Sequence, residues 1–439
     1  MMKGMLETTT KLSRRVFAGL RETVYHAQLA NGLRLYMIPK PDYNEKYAVF
    51  ATRYGSIDTS FIPPGEEQAV ITPPGVAHFL EHKLFEGEES SVFEAFAALG
   101  ASVNAYTTYG LTSYLFSTTD NFYPCLETLV DFVQNPYFTQ ETVAKEQGII
   151  AQEITMYEDN PNAQVYNNLL QALYHQHPVR EKITGTVESV AGITPEILYR
   201  CHKTFYHPEN MILFAIGDID PDAVVQLVEG RFQNQSQTVQ GNIRRLYPGE
   251  PEGVSKVWVE AEMAVARPLC YLGFKDIELC SGDELLKRQL AASLSLQILF
   301  GKTSALYNRL YESGLIDHSF SAYYTAEETF AYSILGGNTP DPVRLEEAIL
   351  AGLREARENG ITEEEFQRQK RKSIGGFLYA LNSLEFIANN FVSTRFRGSS
   401  LFSYLDVLQQ LKAEDVERCL QEQLIEERLS VSIIWPRSQ

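Results

Sequence analysis

Apolar and polar residues alternate from Thr23 to Pro39, and the alternation breaks once, at Ala30-Asn31-Gly32. An Asn-Gly pair between alternating runs is a hairpin turn, so two short antiparallel strands are predicted there. Tyr47 to Ile57 extends the same sheet, and Ala101 to Ser117 reads as a second pair of strands around Gly110. Between them, Pro73-Pro74-Gly75 is a rigid entry to a helix starting at about Val76. Helical spacing then runs through Phe122 to Gln134, Thr139 to Glu158, Ala163 to Tyr174 and Thr194 to Phe205, and a strand from Met211 to Ile216 ends the first half.

Residues Phe232 to Gly253 are rich in Gln, Asn, Ser, Pro and Gly without apolar periodicity, which predicts an interdomain linker over 232–253. After it the order of elements recurs. Strands are expected at Ser255 to Glu262 and Leu269 to Lys275, a helix at Asp283 to Phe300, and strands at His318 to Tyr324 and Thr329 to Leu335. Helices follow over Pro342 to Asn359 and Thr362 to Leu381, with shorter ones to Ile425 and a last strand from Arg428 to Trp435. The pattern predicts an α+β protein of two homologous halves, 1–231 and 254–439, each an antiparallel sheet with helices packed on one face.

Composition narrows the function. A chain of 49.7 kDa with 44% hydrophobic residues is expected to fold as about two to three globular domains. The net charge of −18 argues against the phosphate contacts of nucleic-acid binding. Five scattered cysteines (Cys125, Cys201, Cys270, Cys280, Cys419) form no C-x-x-C pair, so reduced thiols are expected rather than a disulfide framework or a thiolate metal site. Met1 to Arg21 lacks the apolar run of a secretory signal, and Leu290 to Phe300 is too short and too polar to cross a bilayer. A cytoplasmic protein without membrane contact is the expectation.

The chemistry is concentrated in His78-Phe79-Leu80-Glu81-His82, an H-x-x-E-H sequence. A helix advances about 100° and 1.5 Å per residue, so His78 and His82 stand one turn apart on one face, with Glu81 beside them. Two imidazoles, a carboxylate and an open position suit a hydrolytic zinc ion, and the order is that of the inverzincins. Zinc needs another protein ligand. The helix from Thr139 to Glu158 offers Glu146 and Glu153, seven residues apart on one face, around the small apolar run Gly148-Ile149-Ile150-Ala151 that predicts burial of that face. Glu158 and Asp159 are further candidates. His175-Gln176-His177 before Pro178 reads as a helix stop on the surface, and His207-Pro208 as a turn before a strand. Tyr106, Tyr109 and Tyr114 have strand spacing and are expected to pack or to line a cleft.

The run Gly75 to His82, followed by Glu146-x6-Glu153, resembles the pitrilysin/insulinase family of zinc peptidases, above all its half-size processing-peptidase branch. The resemblance extends along the whole chain, through Val103-Asn104-Ala105-Tyr106-Thr107 and Gly217-Asp218-Ile219-Asp220. It implies the mitochondrial processing peptidase/LuxS-like metallohydrolase fold. It also implies zinc held by His78, His82 and Glu153, Glu81 as general base, and Glu146 as a supporting carboxylate. Asn104 and Ala105 would lie on an exposed edge strand that binds extended peptide. The run Glu153 to Pro161 is similar to that of a bacterial subgroup associated with modification of elongation factor P.

The family completes its site with an Arg and a Tyr seven residues apart. Here the position seven beyond Arg309 is Ile316. The expected partner is therefore a second subunit, in a homodimer or a heterodimer with a paralogue lacking zinc ligands, that supplies this pair. The second half itself carries no metal motif. A non-catalytic assembly subunit that keeps the zinc site is the alternative function.

Overall fold

The computed structural model describes residues 10–88, 91–232 and 242–437. Its chain divides into two compact units. The first comprises Met1–Gly148, Glu188–Leu246 and Leu381–Ser393; the second comprises Ile149–Val187, Tyr247–Ala380 and Thr394–Gln439. The expected contiguous halves are thus interleaved, because each unit takes in a segment from the other half of the sequence.

The first unit contains β1 (Ser13–Phe17), β2 (Glu22–Gln28), β3 (Arg34–Pro39), β4 (Lys46–Thr52), β5 (Ser60–Ile62), β6 (Val70–Ile71), β7 (Ser102–Thr107), β8 (Thr112–Thr118), β9 (Met211–Gly217) and β10 (Arg244–Arg245). Seven of them form one sheet in the order β1-β2-β3-β9-β4-β8-β7. The predicted hairpins β2–β3 and β7–β8 are antiparallel, but β9 inserts between β3 and β4 and runs parallel to β3, so the sheet is mixed. β9 is buried at every residue, and β4 at all but its first, because helices cover both faces rather than one. On one face Tyr114 and Phe116 pack against Phe85, in the turn after the helix Val76–Lys83, Phe96 of the helix Val92–Ala98, and Phe122 and Phe132 of the helix Phe122–Gln134. On the other, Tyr36 and Phe214 meet Phe391 at ring separations of 5.0 and 4.8 Å, and Asn389 reaches the hydroxyls of Tyr47 and Tyr106.

The second unit contains β11 (Trp258–Met263), β12 (Leu269–Asp276), β13 (Ser321–Ala326), β14 (Ala331–Asn338) and β15 (Leu429–Pro436), in the order β11-β15-β12-β14-β13. Only β11 and β15 are parallel neighbours in this sheet. Leu272, Phe274, Val431 and Ile433 bury one face against Leu345, Ile349 and Leu353 of the helix Pro342–Asn359. The opposite face receives Pro161–Leu173, whose Val165 packs with Leu269 and Ile434. Gly273 permits that approach: a Cβ there would lie 2.9 Å from the Leu169 side chain.

Of the expected linker, residues 233–241 lie outside the described residues. The rest is held in place. Arg244 and Arg245 pair with β5, and the Arg245 guanidinium bonds buried Asp58 at 3.0 Å. The Glu250 carboxylate accepts the backbone N–H groups of His175, Gln176 and His177, each at 2.8 Å, and the Lys275 ammonium at 2.6 Å. Burial opposes ionisation of Glu250, but these donors outweigh it and hold its carboxyl down at about 2.

Candidate metal centre

The H-x-x-E-H sequence forms the helix Val76–Lys83. Gly75 caps it with φ of 97°, a left-handed conformation that disfavours any residue with a Cβ. The helix is short and holds its apolar residues inward: Val76, Ala77, Phe79 and Leu80 are buried. That anchoring presents the His78 and His82 rings to each other at 4.6 Å. The second contributor is the helix Gln140–Glu158, started by Thr139, whose hydroxyl accepts the Thr142 N–H at 3.2 Å. Its inward residues are Val143, Glu146, Ile150 and Ile154. On the face expected to be buried, Glu146 is buried and Glu153 is half-buried; of the apolar run between them, Ile150 points inward while Ile149 is 44% exposed.

His78, His82 and Glu153 converge, with one ligand atom from each lying within 4.8 Å of the others. Among the described residues this is the one group of three or more His, Cys, Asp or Glu side chains with metal-binding spacing. Ligands about 2.1 Å from a tetrahedral zinc are about 3.4 Å apart, so small side-chain rotations would close the set around an ion. Two imidazoles and one carboxylate are a donor set of hydrolytic zinc sites, and the residues fit the metal. Glu146, 5% exposed, meets His82 Nδ1 at 2.9 Å. That contact matches the usual support of a metal-bound imidazole, in which a carboxylate takes the N–H of the other ring nitrogen. Glu158 is engaged elsewhere, in an ion pair with Lys182 at 2.7 Å.

A cleft of about 380 Å³ opens beside these groups, lined by Glu81, His82, Glu146, Phe85, Glu86, Ser91, Phe93, Asn104 and Ala105. Asn104 and Ala105 belong to β7, which ends the sheet and, among the described residues, has one edge without a neighbouring strand. The Ala105 N–H is covered by the Asn104 side-chain oxygen at 2.9 Å. Several residues in and around the cleft have no distinctive chemistry of their own in the sequence. Phe85 and Phe93 stack at 4.5 Å across the cleft wall. Lys83 is fully buried and pairs with Glu86, and Lys145 lies 3.4 Å from the same carboxylate. Burial acts to raise the Glu86 carboxyl, and the two lysines together lower it. Thr107 donates to Glu81 at 2.6 Å. The i,i+3 spacing of Lys83 and Glu86 is a cue readable in the sequence.

The remaining sequence candidates lie apart from the centre. His177 is buried rather than on the surface, because its ring fills a space beside Tyr174, Tyr247 and Phe330, and burial pulls its pKa down to about 4. His207 precedes the turn Pro208–Asn210 and β9, as its proline suggests. Tyr114 is buried, its hydroxyl 2.8 Å from that of Tyr206. Arg309 pairs with Glu355 at 2.6 Å, and Ile316 is a core residue.

Comparison with known sequences shows that the chain belongs to the insulinase family, peptidase family M16. The model described as "Insulinase (Peptidase family M16)" matches residues 65–187, and that described as "Peptidase M16 inactive domain" matches 192–373. The chain is 47% identical over 420 residues to a Bacillus subtilis (strain 168) protein named "Uncharacterized zinc protease YmfH", covering 95% of this chain and 98% of the relative. A solved structure described as "putative M16-like peptidase from Alicyclobacillus acidocaldarius" is 41% identical and superimposes with a TM-score of 0.91, over 98% of this chain and all of that one. Pitrilysin shares the fold at 16% identity and a TM-score of 0.75, with 98% of this chain covering 46% of its length. No helix among the described residues is long and apolar enough to cross a membrane.

Proposed function

We propose that the chain is a zinc-dependent endopeptidase, or the zinc-bearing subunit of a processing peptidase, that hydrolyses peptide bonds in extended segments. The observation that carries this reading is the convergence of His78, His82 and Glu153 beside a cleft that Glu81 also lines. A zinc ion held by these three side chains would supply the Lewis acidity that acidifies a water and polarises a scissile carbonyl. Glu81 acts as general base, its carboxylate taking the proton of the attacking water and returning it to the departing amine. Glu146 accepts the Nδ1–H of His82, fixing the tautomer that leaves Nε2 for the metal. The free edge of β7 at Asn104 and Ala105 receives the substrate as an added strand, so recognition rests largely on main-chain hydrogen bonds.

A second subunit, an identical copy or a paralogue without zinc ligands, supplies the Arg and Tyr absent around Arg309. The five free cysteines suit work in a reducing compartment such as the cytoplasm. Metal analysis and cleavage of a peptide library, with and without a candidate paralogue, test the assignment. Glu81→Gln is expected to keep about one zinc per chain while cleavage falls by on the order of 10²- to 10⁴-fold. Undiminished cleavage by that variant would remove Glu81 as the base. Absence of cleavage in every assembly, with zinc retained, would favour the assembly-subunit role.

A further inference from the structure

We infer that Thr107 is the positioning residue of the general base, an inference that rests on the peptidase reading of Glu81. The contact joins two elements that the sequence holds apart: Glu81 is on the helix Val76–Lys83, and Thr107 is the last residue of β7. Thr107 Oγ1 donates to Glu81 Oε2 at 2.6 Å, within the short range of hydrogen bonds to carboxylates. One carboxylate oxygen is thereby tied to the sheet, and the other remains to accept a proton.

The surrounding hydroxyls direct Thr107 to this task. Its cross-strand partner is Thr112, whose hydroxyl donates to the Tyr54 carbonyl at 2.9 Å and stands 3.4 Å from Thr107 Oγ1, a longer contact than the 2.6 Å from Thr107 to Glu81. The adjacent Thr108 hydroxyl turns away, to the Leu111 carbonyl at 3.1 Å. A β-branched residue on a strand has few χ1 choices, so the Thr107 hydroxyl is oriented before substrate arrives. A glutamate has flexible torsions, and a base that must meet a water at one place gains from having them fixed. The same strand carries Asn104 and Ala105, so the edge that receives the peptide also sets the base that attacks it.

The test compares Thr107→Val, which keeps the shape and removes the hydroxyl, with Thr107→Ser, which restores it, in whichever assembly supports cleavage. Expected for Thr107→Val are zinc near one per chain, KM little changed, and kcat lower by about 10- to 100-fold, the loss of one hydrogen bond to a charged group. Thr107→Ser should recover most of that loss. In crystals of the Val variant the Glu81 carboxylate should occupy more than one position, against one in the wild type. An unchanged kcat, a loss that Ser does not restore, or a single Glu81 position in the Val variant would each overturn the inference. If instead the wild type and Glu81→Gln cleave alike, the base assignment fails, and the crystallographic comparison still decides what Thr107 holds.

Discussion

The two sheets share one five-strand plan, β3-β9-β4-β8-β7 in the first unit and β11-β15-β12-β14-β13 in the second, each with a single parallel pair at the same place. They part company in the first of the two helices between the central strand and the edge hairpin. In the first unit the helix Val76–Lys83 has 8 residues and spends three of them, His78, Glu81 and His82, on polar chemistry. In the second, Gly282–Phe300 has 19 residues and buries Leu285, Leu286, Leu290, Ala291 and Leu294, with Leu290 and Leu294 in a cluster that includes Phe366 and Leu408. One plan therefore carries either a cluster of metal-ligand type or an apolar core.

That contrast can be broken most forcefully at the ligands. His78→Ala or Glu153→Ala should lose both bound zinc and cleavage, a larger effect than Glu81→Gln, while the metal-free proteins keep their circular dichroism. Stoichiometric zinc in the Glu153 variant would reassign the third ligand, and unfolding of either variant would show that the first sheet does depend on metal. Truncation in the second unit should do the reverse. Ile349→Ala opens a cavity in a fully buried site and should cost about 2–5 kcal/mol by urea denaturation, with zinc content unaltered. Glu146→Gln comes next: it weakens the support of His82 and should reduce zinc affinity about 10- to 100-fold in a chelator competition.

The smallest effects concern acid. Glu250 has its pKa lowered from 4.5 to about 2 on folding, so its stabilising contribution is complete above pH 4.5 and disappears as pH falls towards 2. His177 and His202 are held neutral by burial, both lowered from 6.5 to about 4, so the folded state binds fewer protons than the unfolded chain between those values and loses stability as pH falls through them. Thermal melts of the wild type should therefore decline from about pH 6.5 downward, and Glu250→Gln should flatten the segment between 4.5 and 2. An unchanged slope there would show that the Lys275 and amide contacts do not set its acid response.

Local elements were legible because their causes are local. The hairpin around Asn31-Gly32, the start at Gly75 and the cap at Thr139 each follow from the residues at those positions, and the metal helix follows from spacing. Strand order was not legible. Periodicity does not say that β9 separates β3 from β4, because a ladder between distant segments leaves no mark on the residues of either. β1, with a mostly exposed SRRVF sequence, carries no strand pattern. The contact of Thr107 was not legible for a related reason: a threonine at a strand end is ordinary until the folded helix brings Glu81 to it. Glu146 and Glu153 could be paired by their spacing, but which of these two positions, about two turns apart, meets His82 Nδ1 and which joins both imidazoles depends on how the two helices pack.

The crossed placement of Pro161–Leu173 and Leu381–Ser393 has a practical consequence for anyone dissecting the chain. A fragment ending near residue 232 would lack the cover for Tyr36 and Phe214, and its complement would lack the cover for Leu269 and Ile434. Neither piece would be expected to stay soluble alone, whereas the two expressed together can complement each other, as a clasp holds only when both of its hooks are present.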